Sequence, residues 1–123
     1  MILLDTNILI EIFKGNEKIA IKLDEMNEKF AISSITQMEL YYGAFNKKEI
    51  QLLDRFLASF YIFQLNNKIS IKAVELIKTY SKSHNLNIPD ALIASTAIIN
   101  QIPLITLNLK DFRYIDNLKL LII

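Results

Sequence analysis

The sequence MILLDTNILI (residues 1–10) decides the fold, because a charged residue interrupts an otherwise apolar segment. Asp5, Thr6 and Asn7 separate two apolar runs, and a charge buried there is costly unless another group pairs with it. Ile2–Leu4 has no polar alternation, which predicts a short strand covered on both faces. The following residues predict a helix over Thr6–Phe13, so Asp5 lies where a strand ends and a helix begins.

The rest of the chain alternates between short apolar segments and segments with helical periodicity. Further strands are predicted at Phe30–Ser34, Tyr61–Leu65, Pro103–Leu107 and Leu118–Ile123. Further helices are predicted at Glu17–Glu28, Thr36–Phe45, Glu49–Phe60, Asn67–Ser83 and Ile88–Asn100. Strands that alternate with helices predict an α/β fold around a central, mostly parallel five-stranded sheet.

Composition narrows the class of protein. The chain has 123 residues, 52% of them hydrophobic, so we expect one domain over residues 1–123 with a well-filled core. The net charge of +1 neither favours nor excludes a polyanionic partner. The absence of cysteine excludes disulfides and thiolate metal sites and is compatible with a cytoplasmic location. We expect no membrane segment and no signal peptide, because no apolar run reaches roughly 18 residues and no basic leader precedes the first strand.

Three acidic residues lie at the ends of predicted elements or close to them. Asp5 ends the first strand, although capping of the following helix would explain it equally well. Glu39 lies beyond the second strand among apolar neighbours, although a single glutamate in a helix is more often solvated. Asp90 lies in the first turn of the most apolar helix, where the helix dipole favours an anion. Because functional groups collect at the carboxyl ends of parallel strands, we expect these three residues to lie together.

A fourth polar position follows the segment Pro103–Leu107. Asn108 offers an amide oxygen, and Asp111 is an alternative ligand, for which we favour a role in the turn that positions Phe112. Neighbouring carboxylates repel one another unless a cation lies between them, and Mg²⁺ and Mn²⁺ prefer oxygen ligands. These residue types together therefore predict a divalent-cation site. The single histidine, His84, lies in a polar segment and is expected at the surface, which argues against a His-rich zinc site.

Four segments in order resemble the PIN domain family: DTNILI (5–10), SSITQMELYYG (33–43), NIPDALIASTA (87–97) and LITLNLKDF (104–112). In particular they resemble the compact VapC-type ribonuclease toxins of prokaryotic toxin–antitoxin pairs. The resemblance spans nearly the whole chain. It implies an α/β/α sandwich and a Mg²⁺- or Mn²⁺-dependent endoribonuclease that hydrolyses RNA phosphodiester bonds.

The resemblance also assigns roles to individual residues. By motif match, the acidic quartet of the family falls on Asp5, Glu39, Asp90 and Asn108, with the three acids as the catalytic residues. Asparagine stands where the family often has aspartate, so either one or two metal ions are compatible with this set. Thr6 and Thr106 are candidates for holding metal-bound water or orienting the carboxylates. Helix capping and strand propensity are equally good explanations for the two threonines.

Partners follow from the resemblance and from surface residues. Lys14, Lys110 and Arg113 lie in or beside predicted loops and are candidates for RNA phosphate contacts, with ordinary solvated surface as the alternative. The resemblance implies RNA as substrate, a cognate antitoxin whose tail enters the active cleft, and a homodimer. The apolar residues of Glu49–Phe60 and Tyr61–Leu65 predict an interface.

Two other functions are compatible with parts of this pattern. A phosphatase of the haloacid dehalogenase type also places an aspartate after its first strand, but it needs a second acid at the position that Asn7 occupies here. A non-catalytic scaffold with the same fold would bind RNA or protein without cleavage. Asn108, an amide at the fourth acidic position, is compatible with this alternative.

Overall fold

The computed structural model describes residues 1–123 and contains five strands and six α-helices. The strands are β1 (Ile2–Leu4), β2 (Phe30–Ser33), β3 (Tyr61–Phe63), β4 (Leu104–Ile105) and β5 (Leu120–Leu121). The helices are α1 (Thr6–Phe13), α2 (Glu17–Glu25), α3 (Ser34–Tyr42), α4 (Lys47–Leu57), α5 (Asn67–His84) and α6 (Ile88–Asn100). A 3₁₀ turn at Leu109–Asp111 follows β4.

The five strands form one parallel sheet in the order β3-β2-β1-β4-β5, as the alternation of strands and helices predicted. Strand β1 is central: Leu3 pairs with Ala31 of β2 on one side and with Leu104 of β4 on the other. The strand order therefore reverses direction at β1. Crevices outside the carboxyl ends of strands at such a reversal are the usual ligand sites of open α/β sheets.

Helices cover both faces of the sheet, which makes a three-layer sandwich. Successive side chains of β1 point to opposite faces, so Leu3 joins the core cluster built with α5 and α6, whereas Ile2 and Leu4 join the cluster built with α1 and α4. All three residues are at most 3% exposed. This two-sided burial explains why β1 shows no polar alternation. No helix combines the length and apolar character that a membrane crossing needs.

Capping side chains set the starts of two helices earlier than the periodicity predicted. Helix α3 begins at Ser34 because the Ser33 hydroxyl accepts the backbone N–H of Ile35 at 3.2 Å. Helix α4 begins at Lys47 because the Asn46 side chain accepts the backbone N–H of Glu49 at 2.9 Å. Both helices also end three residues earlier than predicted.

The remaining boundaries differ by a few residues. Helix α2 ends at Glu25 instead of Glu28, because Asn27 adopts a left-handed backbone conformation with φ of 50°. Strands β2 to β5 are shorter than predicted, since only residues paired with a neighbouring strand belong to the sheet. Helix α5 continues one residue further, to His84. These shifts leave the order and type of every element unchanged.

Candidate active site

Asp5 lies at the carboxyl end of the central strand and is only 5% exposed. Its Oδ1 accepts the backbone N–H of Thr6 at 2.7 Å, which caps helix α1, and its Oδ2 accepts the Thr106 hydroxyl at 2.7 Å. The backbone N–H of Asp5 donates to the carbonyl oxygen of Ile105 at 2.9 Å. Because a carboxylate oxygen accepts more than one bond, capping leaves both oxygens able to bind a further group.

Glu39 of α3 faces this same position and does not point into bulk solvent. Its Oε1 accepts the Thr6 hydroxyl at 2.8 Å, and Thr6 directly follows Asp5. The Thr6 and Thr36 hydroxyls lie 2.9 Å apart, and since Thr6 gives its only proton to Glu39, Thr36 is the donor to Thr6. Helices α1 and α3 thus hold the glutamate through two buried threonines.

Asp90 lies in the first turn of α6 and is half-buried. Its backbone N–H donates at 2.9 Å to the side chain of Asn87, which caps the helix, so Asp90 is not the capping residue. Burial, followed by the charges of Asp5, Asp111 and Glu39, raises the pKa of Asp90 to about 6. The nearby carboxylates and the lost hydration therefore outweigh the favourable helix dipole.

Asp111, for which the sequence favoured a role in a turn over a role as an alternative ligand, also contributes its charge to the environment of these acids. Its backbone N–H does bond to the carbonyl oxygen of Asn108 at 3.0 Å within the 3₁₀ turn. Its charge also raises the pKa of both Asp5 and Asp90. Asn108 is exposed and its side chain caps nothing, while its backbone N–H donates to the Thr106 hydroxyl at 3.0 Å.

The carboxylates of Asp5, Glu39, Asp90 and Asp111 therefore share one region at the carboxyl end of the sheet. Burial raises the pKa of Asp5, with Glu39 and Asp111 adding to the shift and the bonds from Thr106 and Thr6 opposing it. The salt bridges of the protein involve Glu28, Glu11 and Glu75, so no basic side chain pairs with these four acids. Uncompensated carboxylates of this kind mark functional sites.

The donor set fits a hard divalent cation, because every side-chain donor is an oxygen and the carboxylates lack any other counter-charge. No three Asp, Glu, His or Cys side chains converge tightly enough to enclose an ion by themselves. Magnesium sites in proteins commonly use one or two carboxylates and complete the shell with water and substrate phosphate. The arrangement matches that kind of open site and not a closed structural one.

The three basic residues predicted to contact RNA are exposed. Lys14 ends α1, lies 3.8 Å from Glu11, and lines a cavity of about 420 Å³ together with Glu39. Lys110 and Arg113 flank Asp111 in and after the 3₁₀ turn. Lys14 thus shares a cavity with Glu39, and Lys110 and Arg113 are close to Asp111 along the chain.

Sequence reasoning missed several residues that shape this site. Thr36 supports Thr6, Asn87 caps α6, and Asn7 accepts the backbone N–H of Leu107 at 3.4 Å, joining the ends of β1 and β4. Asn87 carried a detectable signal, since asparagine three residues before an acid is a common helix start. Thr36 carried none, because its partner lies 30 residues away in the sequence.

A family model described as PIN domain matches residues 2–118 of this chain. The chain belongs to the PIN domain family. Ribonuclease VapC1 of Methanocaldococcus jannaschii is 36% identical to this PIN domain over 112 residues, which cover 90% of this chain and 78% of the relative. Ribonuclease VapC10 of Mycobacterium tuberculosis is 32% identical over 122 residues, which cover 97% of this chain and 91% of the relative.

Solved structures resemble this PIN domain over nearly its full length. VapBC2 from Rickettsia felis, bound to a DNA fragment from its promoter, is 33% identical with a TM-score of 0.85, covering 100% of this chain and 99% of the other. A toxin–antitoxin complex from Klebsiella pneumoniae is 35% identical with a TM-score of 0.82, and the match covers 96% of this chain and 95% of the other. Membership of the PIN family sets aside the haloacid dehalogenase alternative, in agreement with Asn7 at its second acidic position.

Proposed function

We propose that this PIN domain is a metal-dependent endoribonuclease of the VapC type and the toxin of a toxin–antitoxin pair. The observation that supports this proposal is a set of carboxylates at the carboxyl end of the sheet that have no basic partner, two of which, Asp5 and Asp90, have a pKa raised by burial and by the neighbouring charges. Relatives named VapC ribonucleases and neighbours that are toxin–antitoxin complexes supply the activity class. PIN ribonucleases generally use divalent ions, and here we propose Mg²⁺ or Mn²⁺.

Each acid has a proposed role. Asp5 and Asp90 hold the ion, and Glu39 either joins them or accepts the proton of the attacking water. When bound, the ion supplies activation of water and neutralises charge on the phosphate. Thr106 and Thr6 fix Asp5, while Thr6 also donates to Glu39, so one short network orients two of the three acids. Asn108 and Asp111 are the proposed additional ligands, with Asp111 the one that contributes charge.

The substrate enters past the proposed RNA contacts Lys14, Lys110 and Arg113, which are exposed cations around an acidic centre. Such contacts offset the repulsion between RNA phosphates and the carboxylates, and they make binding sensitive to salt. The reaction is hydrolysis of an internal phosphodiester bond. It leaves a 5′-phosphate and a 3′-hydroxyl.

The decisive experiment incubates the purified chain with a labelled single-stranded RNA pool, with Mn²⁺, with Mg²⁺ and with EDTA. The proposal expects fragments with 5′-phosphate ends in either metal and none in EDTA. The scaffold alternative expects RNA that is bound but intact under all three conditions. Intact RNA with Mn²⁺ across several unrelated RNA pools would reject the nuclease assignment.

We further propose a cognate antitoxin and a homodimer as assembly partners, acting in the cytoplasm where such an enzyme meets RNA. The solved toxin–antitoxin complexes that resemble this chain support the antitoxin as a partner. For the dimer, α4 and β3 expose Ile50, Leu52 and Tyr61, although Leu53 and Leu57 of the same predicted surface are buried in the core. Ile71 and Val74 of α5 are more exposed, at 69% and 58%. Light scattering on the isolated chain tests the dimer: a monomer at micromolar concentration contradicts it.

A further inference from the structure

Three aromatic rings meet where the end of α5 contacts the segment after the 3₁₀ turn. His84, the last residue of α5, stacks on Tyr114 with ring centroids 4.1 Å apart and planes inclined by 16°. Tyr80 lies one turn earlier on α5 and contacts both rings edge-on or tilted, at 5.8 Å and 5.1 Å. The Tyr80 hydroxyl accepts the backbone N–H of Asp116 at 3.2 Å, which ties this segment to α5.

Chain connections place this aromatic cluster beside the carboxylates. Tyr114 follows Asp111 by three residues, and His84 precedes Asp90 by six residues across the short connection from α5 to α6. The electrostatics agree: burial, followed by the charges of Asp90 and Asp111, raises the pKa of the Tyr114 phenol. The cluster therefore flanks the proposed catalytic centre on the side of Asp90 and Asp111.

The members of the cluster differ in what the fold requires of them. Tyr80 and Tyr114 are partly buried and pack against the core formed with α5 and α6. His84 is exposed, and its only hydrogen-bond partner is the adjacent Ser83 hydroxyl, 2.8 Å from Nδ1. His84 is not part of the core cluster, and left-handed Asn85, not the imidazole ring, ends the helix.

We propose that the exposed face of His84, supported from behind by Tyr114, stacks an unpaired RNA base while the neighbouring phosphate lies at the carboxylates. This inference rests on the proposed function and adds a base-binding position to it. Single-stranded nucleic acid is commonly held by aromatic side chains on which bases stack, combined with cations that follow the backbone. Arg113, exposed and adjacent to Tyr114, is the cation suited to the flanking phosphate.

The test measures the affinity of a short fluorescent single-stranded RNA by polarisation in EDTA, where no cleavage occurs. We expect His84→Ala to weaken binding by about 5- to 20-fold, the lower part of the range for loss of one stacked base. His84→Phe keeps an aromatic ring without the imidazole nitrogens and is expected to bind within about 2-fold of the wild type. An RNA with abasic riboses keeps all phosphates, and wild type and His84→Ala should bind it equally.

The control is Ile21→Ala, which removes an exposed apolar side chain from α2, and it should leave affinity unchanged. Thermal melting confirms that each variant is folded. Equal affinity of His84→Ala and wild type for intact RNA overturns the inference alone, and so does a His84→Phe variant as weak as His84→Ala. A wild-type chain that neither binds nor cuts RNA overturns the proposed function together with this inference.

Discussion

The two ends of the sheet differ in how their charges are compensated. At the carboxyl end, Asp5, Glu39, Asp90 and Asp111 have no basic partner, and burial together with the neighbouring charges raises the pKa of Asp5 and of Asp90. At the amino end lies the larger cavity, about 600 Å³, lined by apolar side chains and by exposed charges such as Glu28, which pairs with the N-terminal amine at 3.7 Å. The larger cavity therefore lies away from the unpaired carboxylates.

If the proposed function holds, uncompensated charge indicates the functional end of this fold better than cavity size does. A paired or solvated acid costs the fold little, and it carries no information about a ligand. A buried acid without a counter-charge is destabilising in the isolated chain, so its presence indicates a ligand that supplies the missing charge. Changes at Asp5, Asp90 and Asn108 can each be compared with a matched change at the amino end, and a change at Thr106 can be compared with a second substitution at the same position.

The largest effect is expected from Asp5→Asn. Removing this charge should reduce RNA cleavage by at least about 100-fold, because Asp5 is a proposed ligand of the ion that activates water, while the capping bond to Thr6 survives. Asp24→Asn makes the same chemical change in the exposed lining of the amino-end cavity and should leave turnover unchanged. Initial rates on one RNA substrate measure both variants. Similar rates for the two would remove the functional distinction between the ends.

Stability without metal should respond to Asp90→Asn. The Asp90 pKa is about 6 in the folded chain and 3.8 ordinarily, so ionisation above pH 6 opposes folding. In EDTA at pH 7.5 we expect a gain of about 2 kcal/mol in the free energy of unfolding, reduced from the full shift because Asp90 is only half-buried. The gain should fade as the pH drops from about 6 and should vanish below 3.8, where Asp90 is protonated in both states.

Urea unfolding at several pH values measures this effect. The control is Glu28→Gln at the amino end, whose exposed pair with the N-terminus should be worth less than about 1 kcal/mol. A stability loss for Asp90→Asn at pH 7.5 would mean that the carboxylate is compensated in solution, contrary to the contrast drawn above.

An intermediate effect is expected from Thr106→Val, which keeps the shape and removes the hydroxyl that bonds to Asp5 at 2.7 Å. Loss of this orienting bond should lower cleavage by about 10-fold. Thr106→Ser restores a hydroxyl and should restore most of the rate. Cleavage rates of the wild type, Thr106→Val and Thr106→Ser on one substrate test whether the hydroxyl orients Asp5. A serine variant as slow as the valine variant would assign Thr106 to packing alone.

The smallest effect is expected from Asn108→Asp. Calorimetry should show Mn²⁺ binding strengthened by about 2- to 5-fold, a small gain because the position is exposed and solvent screens its charge. Asn117→Asp is the control, since Asn117 is exposed and lines a cavity at the amino end of β4. Equal Mn²⁺ affinities for both variants and the wild type would exclude position 108 from the metal site.

The sequence by itself determined the order and type of all eleven elements and the parallel sheet. It did so because hydrophobic periodicity and strand-end polar residues are local properties, readable within a few residues. The positions of Asp5 at the end of β1 and of Asp90 in the first turn of α6 were predictable for the same reason. Helix ends were less predictable, because one capping side chain such as Asn46 moves a boundary by two residues.

Only the tertiary structure decided what these residues contact. Thr106 bonds to Asp5 across 101 positions of sequence, Thr6 bonds to Glu39 across 33, and His84 stacks on Tyr114 across 30. Such pairings depend on which strands become neighbours and on how helices pack. Hydrophobic periodicity carries no information about either. The raised pKa of Asp90 has the same origin, since it needs both burial and charges contributed by three other segments of the chain.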